Sequence, residues 1–172
     1  IRDATLLDWI ENNLAKIQAL DPGAMSELIA RYVRIKAAVV IEDEKEAGVR
    51  AHLNFGHTFA HAIEATSGYG VIEHGEAVGL GMIAALTAAE RIGLCTDTAL
   101  KSRVSGLLAR MGLPTTTNLP PNDTLMQAMQ LDKKVADNRV RLVLLEAAEN
   151  VTIRDDVPEE VIEDAWRAVD AA

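Results

Sequence analysis

Between Gly75 and Ile92 the chain reads as one helix made largely of small residues. Gly79, Gly81, Ala84, Ala85, Ala88 and Ala89 recur at helical spacing, and side chains this short permit close contact with neighbouring helices. Gly93 stops the helix. Hydrophobic residues make up 49% of the sequence but aromatics only 3%. Ala, Leu, Ile and Val therefore build the core, which favours packed helices over a β-sandwich. At 172 residues there is enough chain for one domain of ordinary size with a real core.

The remaining elements follow from periodicity and punctuation. Asp3 caps a helix through Leu6, Leu7, Trp9, Ile10, Leu14 and Ile17, which Asp21-Pro22-Gly23 ends. A long helix follows, with Met25, Leu28, Ile29, Tyr32, Val33, Ile35, Val39 and Val40 as its apolar face, ending between Glu46 and Gly48. The next helix runs from about Asn54 to Thr66, and Ser67-Gly68-Tyr69-Gly70 is a loop. Thr96 or Asp97 starts a helix to Met111, closed by Gly112-Leu113-Pro114, and Asn122 or Asp123 caps a short helix through Leu131. The run Arg139 to Leu145 alternates and is rich in branched residues, so it reads as a strand, with Val151 to Ile153 as its hairpin partner. Pro158 sits in the first turn of a last helix through Val161, Ile162, Trp166 and Val169.

The formal net charge of −9 argues against nucleic acid or an anionic membrane as the main partner. It also makes any local cluster of Lys, Arg and His more telling. The longest apolar run, Ala77 to Ala89, is too short to span a bilayer, and no signal peptide is visible. The single cysteine, Cys95, excludes an internal disulfide and fits a reducing cytoplasm. It reads as a small buried side chain. The start at Ile1-Arg2-Asp3, without Met, leads us to expect a segment of something longer.

The chemistry concentrates between Arg50 and Glu64. Arg50, Asn54, His57 and His61 are spaced by four, three and four, which on one helix makes a single stripe. Phe55 and Phe59 bracket His57, so the stripe suits a buried site for a metal or an anion. From His57 to Thr66 a helix climbs ~14 Å, and the seven residues from Ser67 to Glu73 can span up to ~25 Å. The loop can therefore return His74 beside the stripe. Neutral imidazole is a common ligand for zinc and similar ions, although hydrogen-bonded structural histidines are the alternative. The His-Glu-x-x-His pattern of zinc proteases is absent, because Thr58 stands at the glutamate position. Glu64, Glu73 and Glu76 are the nearby carboxylates. Lys36, Arg50, Lys133, Lys134, Arg139 and Arg141 supply cations for a phosphate or carboxylate if they converge on the histidines. His52 falls off the stripe and is expected to be exposed.

Three blocks, Leu53-Asn-Phe-Gly-His-Thr-Phe-Ala-His-Ala-Ile-Glu64, His74-Gly-Glu-Ala-Val78 and Asp132-Lys-Lys134, closely resemble the 3-dehydroquinate synthase family of the shikimate pathway. Lys36 and the run Asp43-Glu-x-Glu-x-Gly-x-Arg50 match the same pattern. The resemblance covers essentially the whole chain. It implies a mainly α, multi-helix C-terminal domain over 1–172, with a small β-hairpin near its end. The NAD-binding N-terminal domain of the family is expected to lie outside this chain. It further implies His57 and His74 as ligands of zinc or cobalt, with a third ligand, a glutamate, upstream of Ile1. His61 looks like a site histidine near the phosphate and the moving protons. Lys36, Arg50 and Asn54 look like catalytic and substrate contacts, and one of Lys133 and Lys134 looks like a further substrate-binding lysine. The implied substrate is a phosphorylated sugar acid, the implied location the cytoplasm, and the implied assembly of the longer enzyme a homodimer. Related sugar-phosphate cyclases, such as 2-deoxy-scyllo-inosose synthases, share most of these motifs. A helical metal-binding module without catalysis is the reading from a different class. The iron-dependent alcohol dehydrogenases share the two-domain plan but lack the Asn-Phe-Gly-His-Thr block.

Overall fold

The small-residue helix forms as expected and is buried along most of its length. The computed structural model describes residues 1–45, 48–68, 70–131 and 140–171. In chain order these form α1 (Ala4–Gln18), α2 (Pro22–Glu42), a 3₁₀ helix (Val49–Asn54), α3 (His57–Ser67), α4 (His74–Arg91), α5 (Leu100–Arg110), α6 (Asn122–Leu131), β1 (Leu142–Leu145), β2 (Val151–Arg154) and α7 (Glu159–Arg167). Helix α4 packs against α3, α5, α7 and β1. Nearly every residue of α4 from Ala77 to Ala89 is buried, the pattern of a helix enclosed on all sides.

Aliphatic side chains fill the core, with Phe59 and Trp166 the largest wholly buried groups. Their rings meet edge to face at 4.8 Å between α3 and α7. Strand β1 is buried at all four positions and pairs antiparallel with β2, Leu142 opposite Arg154 and Leu145 opposite Val151. Thr58 Oγ1 donates to the carbonyl of Arg141, tying α3 to the approach of β1. At the other end, Arg103 on α5 grips Glu11 through two nitrogens and also meets Asp8, which fastens α1 to α5.

Several boundaries differ from the sequence reading. Helix α2 ends at Glu42, four or more residues early, because Asp43 turns to accept the backbone N–H groups of Gly48 and Arg50. Its expected apolar face is only partly used. Ala24 and Val39 are buried, whereas Ile29, Tyr32 and Val33 are exposed. Helical periodicity reports an apolar face and not what covers it. Helix α5 starts at Leu100, because Asp97 first holds a turn, accepting from Ala99 N through its side chain and from Leu100 N through its carbonyl. Strand β1 starts at Leu142, and the Arg139 end of the expected strand lies outside the described residues. Pro158 is the N-cap of α7, just before its first turn.

Candidate active site

The expected single stripe is broken in the middle. Arg50 and Asn54 stand on the 3₁₀ helix, and α3 begins only at His57. The break is Gly56, whose φ of +81° suits glycine and ends any continuous helix. Glycine is demanded there twice over. A Cβ on Gly56 would lie 2.7 Å from Met82 N, and one on Gly81 would lie 2.1 Å from the Gly56 carbonyl oxygen. The start of α3 therefore rests directly on the backbone of α4.

This contact brings two helix starts together. His57 is the first residue of α3 and His74 the first of α4. Their rings lie 5.6 Å apart, and His57 is 5.9 Å from His61 one turn along α3. Their chain neighbours Phe55, Thr58 and Phe59 are buried. His57 and His61 are half-buried, and the His74 side chain is 60% exposed. The site is thus open to solvent on this chain, not the enclosed pocket the flanking phenylalanines suggest.

Each of the paired imidazoles is anchored through Nδ1. That of His57 lies 3.3 Å from the Phe55 carbonyl oxygen, and that of His74 lies 2.9 Å from Glu64 Oε1. A carbonyl or carboxylate only accepts, so both Nδ1 atoms carry the proton. In the neutral rings both Nε2 atoms then keep their lone pairs, as metal-binding histidines do. Two ligands on one tetrahedral zinc, at about 2.1 Å each, have ring centres roughly 5 Å apart. The observed 5.6 Å fits such an ion. Among the described residues, no group of three His, Cys, Asp or Glu side chains gathers at one ion position.

The carboxylates near the site serve the histidines. Glu76 accepts from Glu73 N at 3.0 Å, capping the helix that His74 begins. Glu64 continues the α3 stripe after His57 and His61 and reaches across to His74. Sequence spacing names Glu64 only as one of three available carboxylates. A contact across the loop between α3 and α4 leaves no periodic signal.

The cations are more spread out. Arg50 Nη1 donates to the Glu44 carbonyl at 3.2 Å, and its backbone N–H to Asp43. Lys36 is exposed on α2, its ammonium 5.9 Å from the Tyr32 ring centre. Asn54 ends the 3₁₀ helix and is half-buried. Helix α2 packs against that 3₁₀ helix, so Lys36, Arg50 and Asn54 belong to one pair of touching elements immediately before α3. Lys133 and Lys134 lie outside the described residues. Cys95 is buried, and burial pushes its thiol above the usual range, which makes it a poor nucleophile.

His52 is half-buried, not exposed, because the 3₁₀ geometry turns it inward. Burial and nearby Arg2 lower its pKa, against a smaller opposing pull from Glu42. The unfolded chain then takes up a proton that the folded chain resists. Stability from this group is present above about pH 6.5 and is lost as pH falls toward the lowered folded value. His52→Gln is expected to flatten the stability loss between pH 7 and pH 5, read as the change in urea midpoint. An unchanged slope would place the acid sensitivity elsewhere.

Among solved structures, ValA, a 2-epi-5-epi-valiolone synthase from Streptomyces hygroscopicus subsp. jinggangensis 5008 with NAD+ and Zn2+ bound, aligns over 98% of this chain and 47% of its own, with TM-score 0.85 and 26% identity. A 2-deoxy-scyllo-inosose synthase complexed with carbaglucose-6-phosphate, NAD+ and Co2+ aligns over 85% of this chain and 42% of its own, with TM-score 0.71 and 24% identity, a likeness of fold alone. The fold is that of the sugar-phosphate cyclases. A family model described as 3-dehydroquinate synthase C-terminal matches residues 1–135. The 3-dehydroquinate synthase of Pseudomonas putida strain W619 is 45% identical over 167 residues, 95% of this chain. That of Pseudomonas aeruginosa strain LESB58 is 43% identical over 171 residues, 97% of this chain. The chain belongs to the 3-dehydroquinate synthase family and corresponds to its C-terminal part, as the Asn-Phe-Gly-His-Thr and His-Gly-Glu-Ala-Val blocks indicate. It spans about 45% of the length of these curated relatives. No helix among the described residues is long and apolar enough to cross a membrane.

Proposed function

We propose that this chain is the metal- and substrate-binding part of a 3-dehydroquinate synthase, a lyase that converts 3-deoxy-D-arabino-heptulosonate 7-phosphate to 3-dehydroquinate and phosphate. The observation that carries this reading is the pair of imidazoles at two helix starts, 5.6 Å apart, each held through Nδ1 by an oxygen acceptor. His57 and His74 would hold a divalent ion, zinc or cobalt. We place the third ligand, a glutamate, in sequence preceding Ile1. NAD belongs to an N-terminal domain in the part of the relatives' length that this chain does not span. When bound, the ion supplies Lewis acidity toward a substrate oxygen and NAD supplies reversible hydride acceptance.

The chain's own residues bind and orient. Lys36 and Arg50 carry fixed positive charge for the carboxylate and phosphate of the substrate, with one of Lys133 and Lys134 as a further contact. Asn54 offers both a donor and an acceptor to sugar hydroxyls. His61 stands beside the ligand pair on α3 and can hold a proton near the departing phosphate. An open face is consistent with a site completed by the rest of the enzyme. We place that enzyme in the cytoplasm as a homodimer.

The two solved relatives are other synthases, one of 2-epi-5-epi-valiolone and one of 2-deoxy-scyllo-inosose, the latter complexed with carbaglucose-6-phosphate. The higher identity to 3-dehydroquinate synthases favours the proposed substrate. Turnover assays on the full-length enzyme, offering the heptulosonate phosphate and glucose 6-phosphate separately, decide between them. NAD-dependent phosphate release from the first alone is expected. Release from the second alone would establish an inosose synthase, and release from neither would revive the non-catalytic metal-binding module.

A further inference from the structure

The two paired histidines are anchored differently. His57 is held by a carbonyl from its own chain turn, Phe55, which the backbone fixes. Among the described residues, the His74 ring meets a side chain, Glu64, and not a backbone group. The His74 side chain is 60% exposed, so solvent alone would let the ring turn over and present either nitrogen. Glu64, 30% exposed near the end of α3, accepts from its Nδ1 at 2.9 Å.

We infer that Glu64 is a positioning residue for His74, holding the ring in the Nδ1–H form and turning Nε2 toward the space it shares with His57. The inference rests on the reading of His74 as a metal ligand and deepens it. Glu64 lies seven residues after His57, two turns along the same face, so one helix supplies both a ligand and the support of the second ligand. A carboxylate behind an imidazole also increases its strength as a donor to a cation. With its Oε1 committed to His74, Glu64 serves the ion through that ring.

The test uses three variants, Glu64→Ala, Glu64→Gln and His74→Ala, with zinc as the probe. In the metal-free protein at pH 8, nitrogen NMR of the His74 ring is expected to show the Nδ1–H tautomer. Glu64→Ala is expected to shift it toward Nε2–H, and Glu64→Gln, which keeps an accepting oxygen, to restore it. Zinc affinity, measured by chelator competition, is expected to fall about 10- to 100-fold in Glu64→Ala and to recover largely in Glu64→Gln. An Nε2–H tautomer in the unmodified protein overturns the inference even if Glu64→Ala fails to fold. So does a Glu64→Ala variant with unchanged tautomer and affinity. His74→Ala separates the two levels: if it binds zinc normally, the metal reading itself fails, whereas loss of zinc there with no effect at Glu64 removes only the positioning role.

Discussion

Gly81→Ala is expected to destabilise the protein by about 3 kcal/mol, a large loss for one added methyl group. The new Cβ would lie 2.1 Å from the Gly56 carbonyl oxygen, 3.0 Å from its carbonyl carbon and 3.1 Å from Ala60 N. All three are backbone atoms, so no side chain can swing aside. Overpacking usually costs about 1 to 3 kcal/mol, and a contact this short against backbone sits at the upper end. Domains of this size are stable by only about 5 to 15 kcal/mol, so the chain should still fold, with α3 pushed off α4. His57 follows Gly56 directly, and its ring should move away from His74 as a result. Gly93→Ala is the control: its φ of +69° is left-handed, but nothing lies within 4 Å of a Cβ there. Only the backbone penalty of about 1 to 2 kcal/mol should appear. Urea titration measures both. Equal losses in the two variants would mean that the α3–α4 approach is not tight.

His57→Ala in the full-length enzyme is expected to abolish metal binding and turnover together. The residue starts α3 and is half-buried, so the fold should survive, as circular dichroism can check. Losing one of two imidazole donors should lower zinc affinity by more than the ~100-fold that a supporting residue can account for. His61→Ala separates the roles. Its ring is also near His57, but it is read as a proton-handling group, so metal should stay while turnover falls by about 10²- to 10⁴-fold. Metal content by elemental analysis, alongside phosphate release, distinguishes the pair. Stoichiometric metal in His57→Ala would remove it from the ligand set.

How much of this was readable in advance depended on whether the signal was local. The small residues from Gly79 to Ala89 announce a helix that others approach closely, and they form one. That Gly81 meets Gly56 in particular is a tertiary fact without a sequence mark. The histidine stripe was half legible. His57 and His61 do share a face of α3, but the same spacing continues across Gly56, where the chain turns instead of winding on. Arg50 and Asn54 therefore reach the region from a separate 3₁₀ helix. Chain length alone allowed His74 to return to His57, and the structure makes that return. The pairing of Glu64 with His74 was hidden, since ten residues and a loop separate them. On α2, the exposed Ile29, Tyr32 and Val33 show the limit of periodicity, which finds an apolar face but not its cover.

The most direct test is an anomalous difference map from crystals of the full-length enzyme soaked with zinc, with data at the zinc edge. One strong peak is expected within about 2.1 Å of both His57 Nε2 and His74 Nε2. A peak bound elsewhere, with these two rings making no contact to it, would contradict the assignment of this surface as a metal centre.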